Sequence, residues 1–355
     1  MIEILNGWLK RYFSDPQAVY LALILLVGFS VVIFAGHILL PVFASIVITY
    51  LLDSVVKFLQ NLGVRRIYSV ILVFLIFSAI MILVLFGFIP LLVRQVGEFI
   101  QALPNMIGIG QQVLLDLPDA YSFVDEQQIR RLMTAIGAEI GTLGHNVVSR
   151  SITSLSSVIT VAIYLVLLPL LVFFFLKDKW KILNWFYKFL PADRSLMTHL
   201  WRDMDKQLGN YVRGKAWEIL IIGGVSTFTF AIFGLSYAVL LGVLVGLSVL
   251  VPYIGAVTVT IPVVLVAFFQ WGWTELFFYL VISYLIIQML DGSVLVPLMF
   301  SEVNNLHPIA IIVAVLVFGG WFGFWGVFFA IPLATLVQAL LIAWPRTVHD
   351  PPPAS

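Results

Sequence analysis

Residues 216–345 contain no lysine or arginine, so the few carboxylates in this part of the chain have no cationic partner close to them in sequence. The acidic side chains there are Glu218, Glu275, Asp291 and Glu302, and His307 is the one histidine. Asp291 comes directly after the uncharged stretch 276–290. In so apolar a setting a carboxylate has to be paired from elsewhere, protonated, hydrated or bound to a cation. We predict that Asp291 binds a proton or a cation; the alternative is that it caps a helix at the membrane surface.

Further polar and helix-breaking residues surround Asp291. In sequence order they are Gln288, Gly292, Pro297, Glu302, Asn304, Asn305 and His307. Carboxylate, amide and imidazole groups can all exchange hydrogen bonds with a polar solute. We predict that Glu302 and His307 act with Asp291 in transport or ion coupling. The other residues are predicted to line an adjoining polar path.

Two apolar stretches in the same part of the chain contain residues that interrupt helices. The first has Pro252, Tyr253, Gly255 and Pro262, and the second has Gly319, Gly320, Gly323, Gly326 and Pro332. Both stretches contain an Ile-Pro pair, which hints at an internal repeat. Broken helices are tolerated in lipid where the freed backbone groups line a cavity or are buried in protein, and transporters place such breaks around substrates and ions. The alternative is that the small residues only allow helices to pack closely.

The composition places the whole chain in a membrane. Of its residues 62% are hydrophobic and 10% are charged, and the mean hydropathy is +1.09, whereas soluble domains carry about 25% charged residues. The net charge of +1 and the thinly spread basic residues give no sign of nucleic-acid binding. The absence of cysteine excludes disulfides, thiolate catalysis and cysteine-ligated metals.

No enzyme motif occurs in the sequence. Walker A, GxGxxG, HExxH and GxSxG patterns are all missing, and the five histidines have no metal-ligand spacing. A lone Asp291 does not supply the carboxylate pair that an intramembrane protease needs. We therefore predict that the protein is not an enzyme and uses no cofactor and no resident metal.

The elements that position these residues are predicted to be transmembrane helices. A helix needs about 20 apolar residues to cross a membrane, and the uncharged stretches predict an all-α protein with about eight spans, some broken or re-entrant. Breaks are expected at Gly36-His37 with Pro41 and at residues 234–237. The positive-inside rule places both termini and the basic segment 177–215 in the cytoplasm. The predicted divisions are spans 1–3 (1–93), an external helical segment (94–150), span 4 (151–177), cytoplasmic amphipathic helices (178–215), a C-terminal transport half (216–345) and a cytoplasmic tail (346–355).

Two extramembrane features complete the prediction. Lysines alternate with aromatic residues in WKILNWFYKF (180–189), which is typical of a helix in the membrane interface; docking against the end of the helix bundle is the alternative. Arg213, Gly214 and Glu218 are predicted to form the cytoplasmic mouth of the transport half. Glu218 is interpreted as marking the start of a helix.

Five blocks of the sequence together resemble the autoinducer-2 exporter (AI-2E) family, and most closely its PerM-type permeases. The blocks are RGKAWEILIIGG (213–224), LVPYIGA (250–256), LDGSVLVPLMF (290–300), NLHPIAII (305–312) and FGFWGVFFAIPLATL (322–336). The order and spacing of all five agree, and the resemblance covers essentially the full chain. The motif positions carried over are Arg213, Gly214, Pro252, Gly255, Asp291, Gly292, Pro297, His307, Pro308, Gly326 and Pro332.

The resemblance implies an inner-membrane transporter with eight spans and no ATPase, assembled as a homo-oligomer, with a pentamer expected. Some members look like exporters of the small polar signal autoinducer-2, and others are described as sodium or lithium/proton antiporters. Taken together, we predict a secondary transporter that exports a small polar solute, coupled to a proton or Na⁺. The alternatives are a Na⁺(Li⁺)/H⁺ antiporter and a membrane protein that acts only by docking partners on segments 94–150 and 177–215.

Overall fold

Helices make up most of the chain wherever its structure is described. A computed structural model describes residues 16–36, 38–115, 155–189, 195–300 and 306–343, and no strand occurs among them. The α-helices in these ranges are α1 Pro16–Ala35, α2 Leu40–Asn61, α3 Arg66–Leu83, α4 Ile89–Leu115, α5 Leu155–Tyr187, α6 Ser195–Phe233, α7 Ala238–Ser248, α8 Ile254–Trp271, α9 Glu275–Leu290, α10 Val296–Phe300, α11 Pro308–Phe328 and α12 Ala330–Ala343. Two π-helical turns, Val84–Phe88 and Asp291–Leu295, join α3 to α4 and α9 to α10. The predicted all-α fold is confirmed.

Several helices are long and apolar enough to cross a membrane. Within the described ranges there are six: Leu40–Asn61, Arg66–Gly110, Met204–Phe233, Ile254–Trp271, Glu275–Met299 and Pro308–Phe328. Three shorter apolar helices accompany them, at Leu23–Ala35, Ala238–Ser248 and Ala330–Leu340. The protein is therefore an integral membrane protein, and the count of eight spans stays a prediction.

The first two predicted helix breaks are confirmed. Helix α1 ends at Ala35 and α2 begins at Leu40, with a proline in its first turn. Helix α6 ends at Phe233 and α7 begins at Ala238. Between these two helices Gly234 has a φ of 72° and Tyr237 a φ of 60°. This left-handed backbone ends a helix, and glycine adopts it readily.

Two helices continue past positions where the sequence predicted a change of element. Helix α4 runs from Ile89 through Pro104 to Leu115, so the predicted external segment begins inside a helix; its remainder, including residues 116–150, lies outside the described residues. Helix α6 is 39 residues long and begins at Ser195. The prediction that Glu218 marks the start of a helix is therefore wrong. Lys215, three residues earlier, offsets the charge of Glu218, so the carboxylate is accommodated inside the helix.

The stretch after Asp291 is helical where the sequence predicted helix breaks along a polar path. Residues 291–295 form a π-turn and residues 296–300 form α10, which extends the direction of α9. Pro297, which has no N–H to donate, is the second residue of α10 and lies directly after the π-turn, a local irregularity within the helix. In lipid a continuous helix satisfies its own backbone groups, which opposes a break at Gly292.

The main apolar core lies among α6, α7, α8 and α9. Helices α6 and α7 approach each other closely through glycines. A Cβ on Gly246 would lie 2.8 Å from the carbonyl oxygen of Ile219, and Gly223 faces it from α6. This contact has the small-residue packing expected between membrane helices. A second cluster joins α2, α3 and α5, and α6 contacts both α2 and the C-terminal helices.

Candidate functional site

An ion pair lies inside the protein on α6. Lys215 Nζ is 2.7 Å from Glu218 Oε2, and only 5% and 2% of the two side chains are exposed. Residues three apart lie on the same face of a helix, so the pair forms within α6 itself. Removing two charges from water costs several kcal/mol per ion unless each finds close partners. A pair this deeply buried requires an explanation in function or in the packing of neighbouring helices.

Asp291 brings a second carboxylate to this pair. It is the first residue of the π-turn that follows α9, and it interacts electrostatically with both Lys215 and Glu218. Its Oδ1 atom is buried and has no hydrogen-bond partner among the described residues. When all three groups are ionised, one ammonium faces two carboxylates. The cationic partner that the sequence did not place near Asp291 is Lys215, which α6 supplies.

Lys215 also holds the first of two breaks in the C-terminal helices. Helix α7 ends at Ser248, and Lys215 Nζ donates a hydrogen bond of 2.9 Å to the carbonyl oxygen of Val249, the next residue. The chain turns through Tyr253, whose φ is 64°, before α8 begins. A Cβ on Gly255 would lie 1.8 Å from the Ser248 carbonyl oxygen, so this close return requires glycine.

Tyr211 holds the second break in the same way. Gly323 interrupts α11 with a φ of 59°. The Tyr211 hydroxyl donates a hydrogen bond of 2.8 Å to the carbonyl oxygen of Phe328, the last residue of α11. A Cβ on Gly326 would lie 1.8 Å from the Phe318 carbonyl oxygen, so glycine is required at this return as well.

Helix α6 therefore supplies hydrogen-bond donors to both helix breaks from positions one turn apart. Broken helices in a membrane need partners for the backbone groups that they free, and Tyr211 and Lys215 provide two of them. We name the group Tyr211, Lys215, Glu218 and Asp291 the α6 junction. It joins α6, both breaks and the π-turn at one place.

A stripe of polar atoms extends along α6 from this junction. Gln207 Oε1 and Ser226 Oγ are both buried and lack hydrogen-bond partners among the described residues. They share a face of the helix with Lys215 and Glu218, and they are about 28 Å apart at 1.5 Å per residue. That distance is close to the roughly 30 Å thickness of a bilayer core. Buried polar atoms without protein partners are commonly satisfied by water or by a ligand.

Helix α9 places a second polar row against α6. The Tyr284 hydroxyl lies 2.9 Å from Thr260 Oγ1 and accepts a hydrogen bond of 3.0 Å from Gln288 Nε2. Gln288 is followed three residues later by Asp291, on the same side of the helix. The rings of Tyr284 and Phe230 are 6.1 Å apart, so this row faces α6. The row leads along α9 to the junction.

The structure places the other predicted site residues as follows. His307 is exposed and caps α11, with its Nδ1 accepting a hydrogen bond of 3.2 Å from the Ile309 N–H, so a local structural role accounts for it. Pro252 is half-buried and Tyr253 is exposed, and both lie in the first break. Gly292 and Pro297 are exposed in and directly after the π-turn. Pro332 is buried in α12, and Gly214 is buried in α6 beside half-buried Arg213. Glu302, Asn304 and Asn305 lie outside the described residues.

Tyr211 and Lys215 are the functional candidates that sequence reasoning missed. Lys215 is the last cation before the apolar half and precedes Glu218 by three residues, a spacing that places the two side chains on one helix face. That spacing could have identified the ion pair. The partner of Tyr211 is a backbone carbonyl, so its residue type alone carries no signal for the contact.

Known proteins are similar to this chain over nearly its whole length. The family model described as AI-2E family transporter matches residues 21–346. A candidate permease of Escherichia coli K12, PerM, is 44% identical over 346 residues, which cover 97% of this chain and 98% of its own. The candidate transport protein YueF of Bacillus subtilis 168 is 25% identical over 347 residues, covering 94% and 93% of the two chains. Three of the four residues of the α6 junction lie in two of the five blocks on which the resemblance depends, 213–224 and 290–300, and the chain belongs to the AI-2E transporter family.

Proposed function

We propose that the protein is a secondary transporter of the bacterial inner membrane that exports a small polar solute, with the α6 junction binding a coupling proton or cation. Its relatives are named as candidate permeases and transport proteins, which supports transport over enzymatic catalysis. The observation that carries the proposal is the buried Oδ1 of Asp291, which lacks a hydrogen-bond partner in the described structure beside an ion pair. A proton or a monovalent cation at Asp291 would neutralise the junction.

The junction is arranged so that occupancy of Asp291 can act on a helix break. Lys215 contacts Glu218 at 2.7 Å and the Val249 carbonyl at 2.9 Å. When Asp291 is charged and unoccupied, it competes with Glu218 for the Lys215 ammonium. When a proton or cation neutralises Asp291, the Lys215 ammonium interacts with the Glu218 carboxylate and the Val249 carbonyl oxygen without competition from Asp291. A ligand that binds one state more tightly shifts the populations by its difference in affinity, so Lys215 links the ion site to the first break.

The polar rows on α6 and α9 supply a path for the solute. Along α6, Ser226 and Gln207 present polar atoms with no hydrogen-bond partner among the described residues. Thr260 of α8 and Tyr284 and Gln288 of α9 form a hydrogen-bonded chain beside α6. Hydroxyl and amide groups both donate and accept hydrogen bonds, so they suit a neutral polar solute better than a large charged one. Alternate opening of the two breaks would expose this path to one side of the membrane at a time.

The experiment compares Asp291→Asn with a matched control, Glu275→Gln. Glu275 is an exposed carboxylate in the first turn of α9, outside the junction. Solutes in the medium of cells producing the wild type, either variant or no transporter are compared by untargeted mass spectrometry. Solutes that the wild type exports are expected to disappear with Asp291→Asn and to persist with Glu275→Gln, at equal amounts of protein in the membrane. Export at the wild-type rate by Asp291→Asn would refute the role of Asp291.

Proteoliposomes that contain a pH-sensitive dye test the coupling. The exported solute, once identified, is expected to move protons with the wild type and not with Asp291→Asn. Proton movement on addition of sodium or lithium, without any organic solute, would instead identify an antiporter. We also infer that both termini are cytoplasmic, because the positive-inside rule assigns the basic segments to that side. We infer further that the transporter is a homo-oligomer, a pentamer by family resemblance. Native mass spectrometry measures the number of subunits.

A further inference from the structure

A second polar site lies on the other side of α6. A partly open cavity of about 250 Å³ lies between α2, α5 and α6, and its charged lining residues are Asp53, Lys57, Lys179, Asp205, Lys206 and Arg213. Arg213 precedes Lys215 by two residues, which turns its side chain by about 200° around the helix axis. Arg213 bonds to Ser54 of α2, whereas Lys215 bonds to Val249 after α7. The cavity is therefore separate from the α6 junction.

The cavity has a surplus of positive charge. Four basic side chains and two carboxylates line it, and four minus two leaves a net charge of +2. A concave site lined by one excess sign of charge concentrates ligands of the opposite sign. The lining charges thus favour an anion over a cation or a neutral solute.

Both carboxylates are already engaged by groups of the cavity wall. Asp53 Oδ2 lies 3.1 Å from Lys57 Nζ and 3.1 Å from Lys179 Nζ, and only 8% of the Asp53 side chain is exposed. Asp205 Oδ1 accepts a hydrogen bond of 2.5 Å from the Tyr50 hydroxyl. These contacts join α2 to α5 and to α6. They hold both carboxylates at the wall, and because Lys57 and Lys179 share the one charge of Asp53, the net charge that a ligand meets there stays positive.

Arg213 is held in a fixed orientation at this cavity. Its Nη1 donates to Ser54 Oγ at 3.2 Å and its Nη2 donates to Asn210 Oδ1 at 2.8 Å. The guanidinium lies against Gly209, where a Cβ would be only 3.3 Å from Nη1. A guanidinium has five N–H donors, so these two hydrogen bonds leave donors for a ligand. A planar fork held in this way is suited to the oxygens of a phosphate group.

We propose that this cavity binds a phosphate group, carried either by a small free anion or by the headgroup of an anionic lipid. The volume of about 250 Å³ accommodates a phosphate with a small organic substituent. The positive-inside rule places the basic segment 177–215, which supplies Lys179 and Lys206, at the cytoplasmic surface, where phosphorylated solutes and anionic headgroups are both available. The function of this site is independent of the solute path on the opposite face of α6.

The first test measures binding of inorganic phosphate to the full-length protein in detergent. Thermal unfolding is followed while phosphate is added, with chloride at equal ionic strength as the reference. Phosphate is expected to raise the unfolding temperature of the wild type. Arg213→Gln is expected to weaken the apparent affinity about tenfold or more, because it removes a charge-assisted hydrogen-bond donor. Lys57→Gln, with the Lys57 side chain 63% exposed, is a second variant that preserves the helix contacts if Arg213→Gln does not fold.

The matched control is Lys181→Gln. The Lys181 side chain is 83% exposed and pairs with Asp178 outside the cavity lining, so its removal lowers the net charge equally without touching the site. Native mass spectrometry then compares retention of phosphatidylglycerol with retention of phosphatidylcholine. Phosphate stabilisation that Arg213→Gln or Lys57→Gln weakens identifies a free anion, and selective retention of phosphatidylglycerol that these variants lose identifies a lipid headgroup. If neither effect occurs, or if Lys181→Gln has the same effect as Lys57→Gln, the proposal is refuted.

Discussion

Lys215→Met is the perturbation that tests the α6 junction most directly. Methionine keeps a long, unbranched side chain and good helix propensity, so the change removes mainly the positive charge. It leaves Glu218 and Asp291 as two carboxylates with no cation at the junction. It also removes the hydrogen bond of 2.9 Å to the Val249 carbonyl. Both effects destabilise the folded protein.

The distance between Lys215 Nζ and Glu218 Oε2 sets the size of the expected loss in unfolding free energy. At 2.7 Å and an effective dielectric constant of about 20, the Coulomb attraction between Lys215 and Glu218 is about 6 kcal/mol. Much of that attraction is offset by the cost of removing both charges from water. Breaking a buried pair by removing one partner costs about 3–5 kcal/mol, because the other charge is left uncompensated. We expect Lys215→Met to lower the free energy of unfolding by that amount.

The double variant Lys215→Met/Glu218→Leu separates stability from function. Replacing both members of a buried pair with apolar residues is commonly neutral or stabilising, by about 1–4 kcal/mol. We therefore expect the double variant to regain most of the lost stability and still fail to transport, because nothing links Asp291 to the first break. Unfolding in mixed detergent micelles, followed by tryptophan fluorescence, measures the stability, and the proteoliposome assay measures transport.

The control for this series is Lys57→Met. Lys57 also pairs with an aspartate, four residues earlier, but 63% of its side chain is exposed, and such surface pairs contribute about 0.3–0.5 kcal/mol. If Lys215→Met costs no more than Lys57→Met, the ion pair on α6 is not a buried structural element and the reasoning fails. A double variant that transports normally would refute the link through Lys215.

Two further changes test the helix breaks. Gly255→Ala is expected to destabilise the protein by several kcal/mol or to prevent correct folding, because its Cβ would lie 1.8 Å from a carbonyl oxygen. The control Gly292→Ala is expected to be nearly neutral, because no described atom lies within 4 Å of its Cβ. Equal unfolding temperatures for the two variants would contradict the close return at the first break. Tyr211→Phe removes the hydrogen bond to the Phe328 carbonyl and is expected to cost about 1–3 kcal/mol in the same unfolding assay, so an unchanged stability would show that this bond does not hold the second break.

Local signals in the sequence located the breaks and the isolated carboxylate, and they failed where the partner is distant. Asp291 stands out because no cation lies near it in sequence, yet its electrostatic partner Lys215 is on another helix. Gly292 and Pro297 predicted a break in the helix, but the helix continues past them through a π-turn. In a membrane the need to satisfy every backbone group outweighs the low helix propensity of these two residues.

The two helix breaks show the same limit from another side. Pro252 and Gly255 predicted the first break, and the glycines from Gly319 to Gly326 predicted the second. Only the structure shows that Gly323 carries the positive φ and that Gly326 makes the close return. Every residue carries a backbone carbonyl, so residue types do not indicate which carbonyl oxygens accept the hydrogen bonds that stabilise the two breaks.

The order of synthesis gives the hydrogen bonds of α6 a further consequence. Tyr211 precedes its partner Phe328 by 117 residues and Lys215 precedes Val249 by 34, so α6 is made before either break exists. The hydrogen bond from Lys215 to the first break can form soon after α7 leaves the ribosome. The hydrogen bond from Tyr211 to the second break can form only when synthesis is nearly complete, so it forms late in folding. A nascent chain that ends before residue 328 would lack this hydrogen bond at the second break and would be exposed to the quality-control proteases of the membrane.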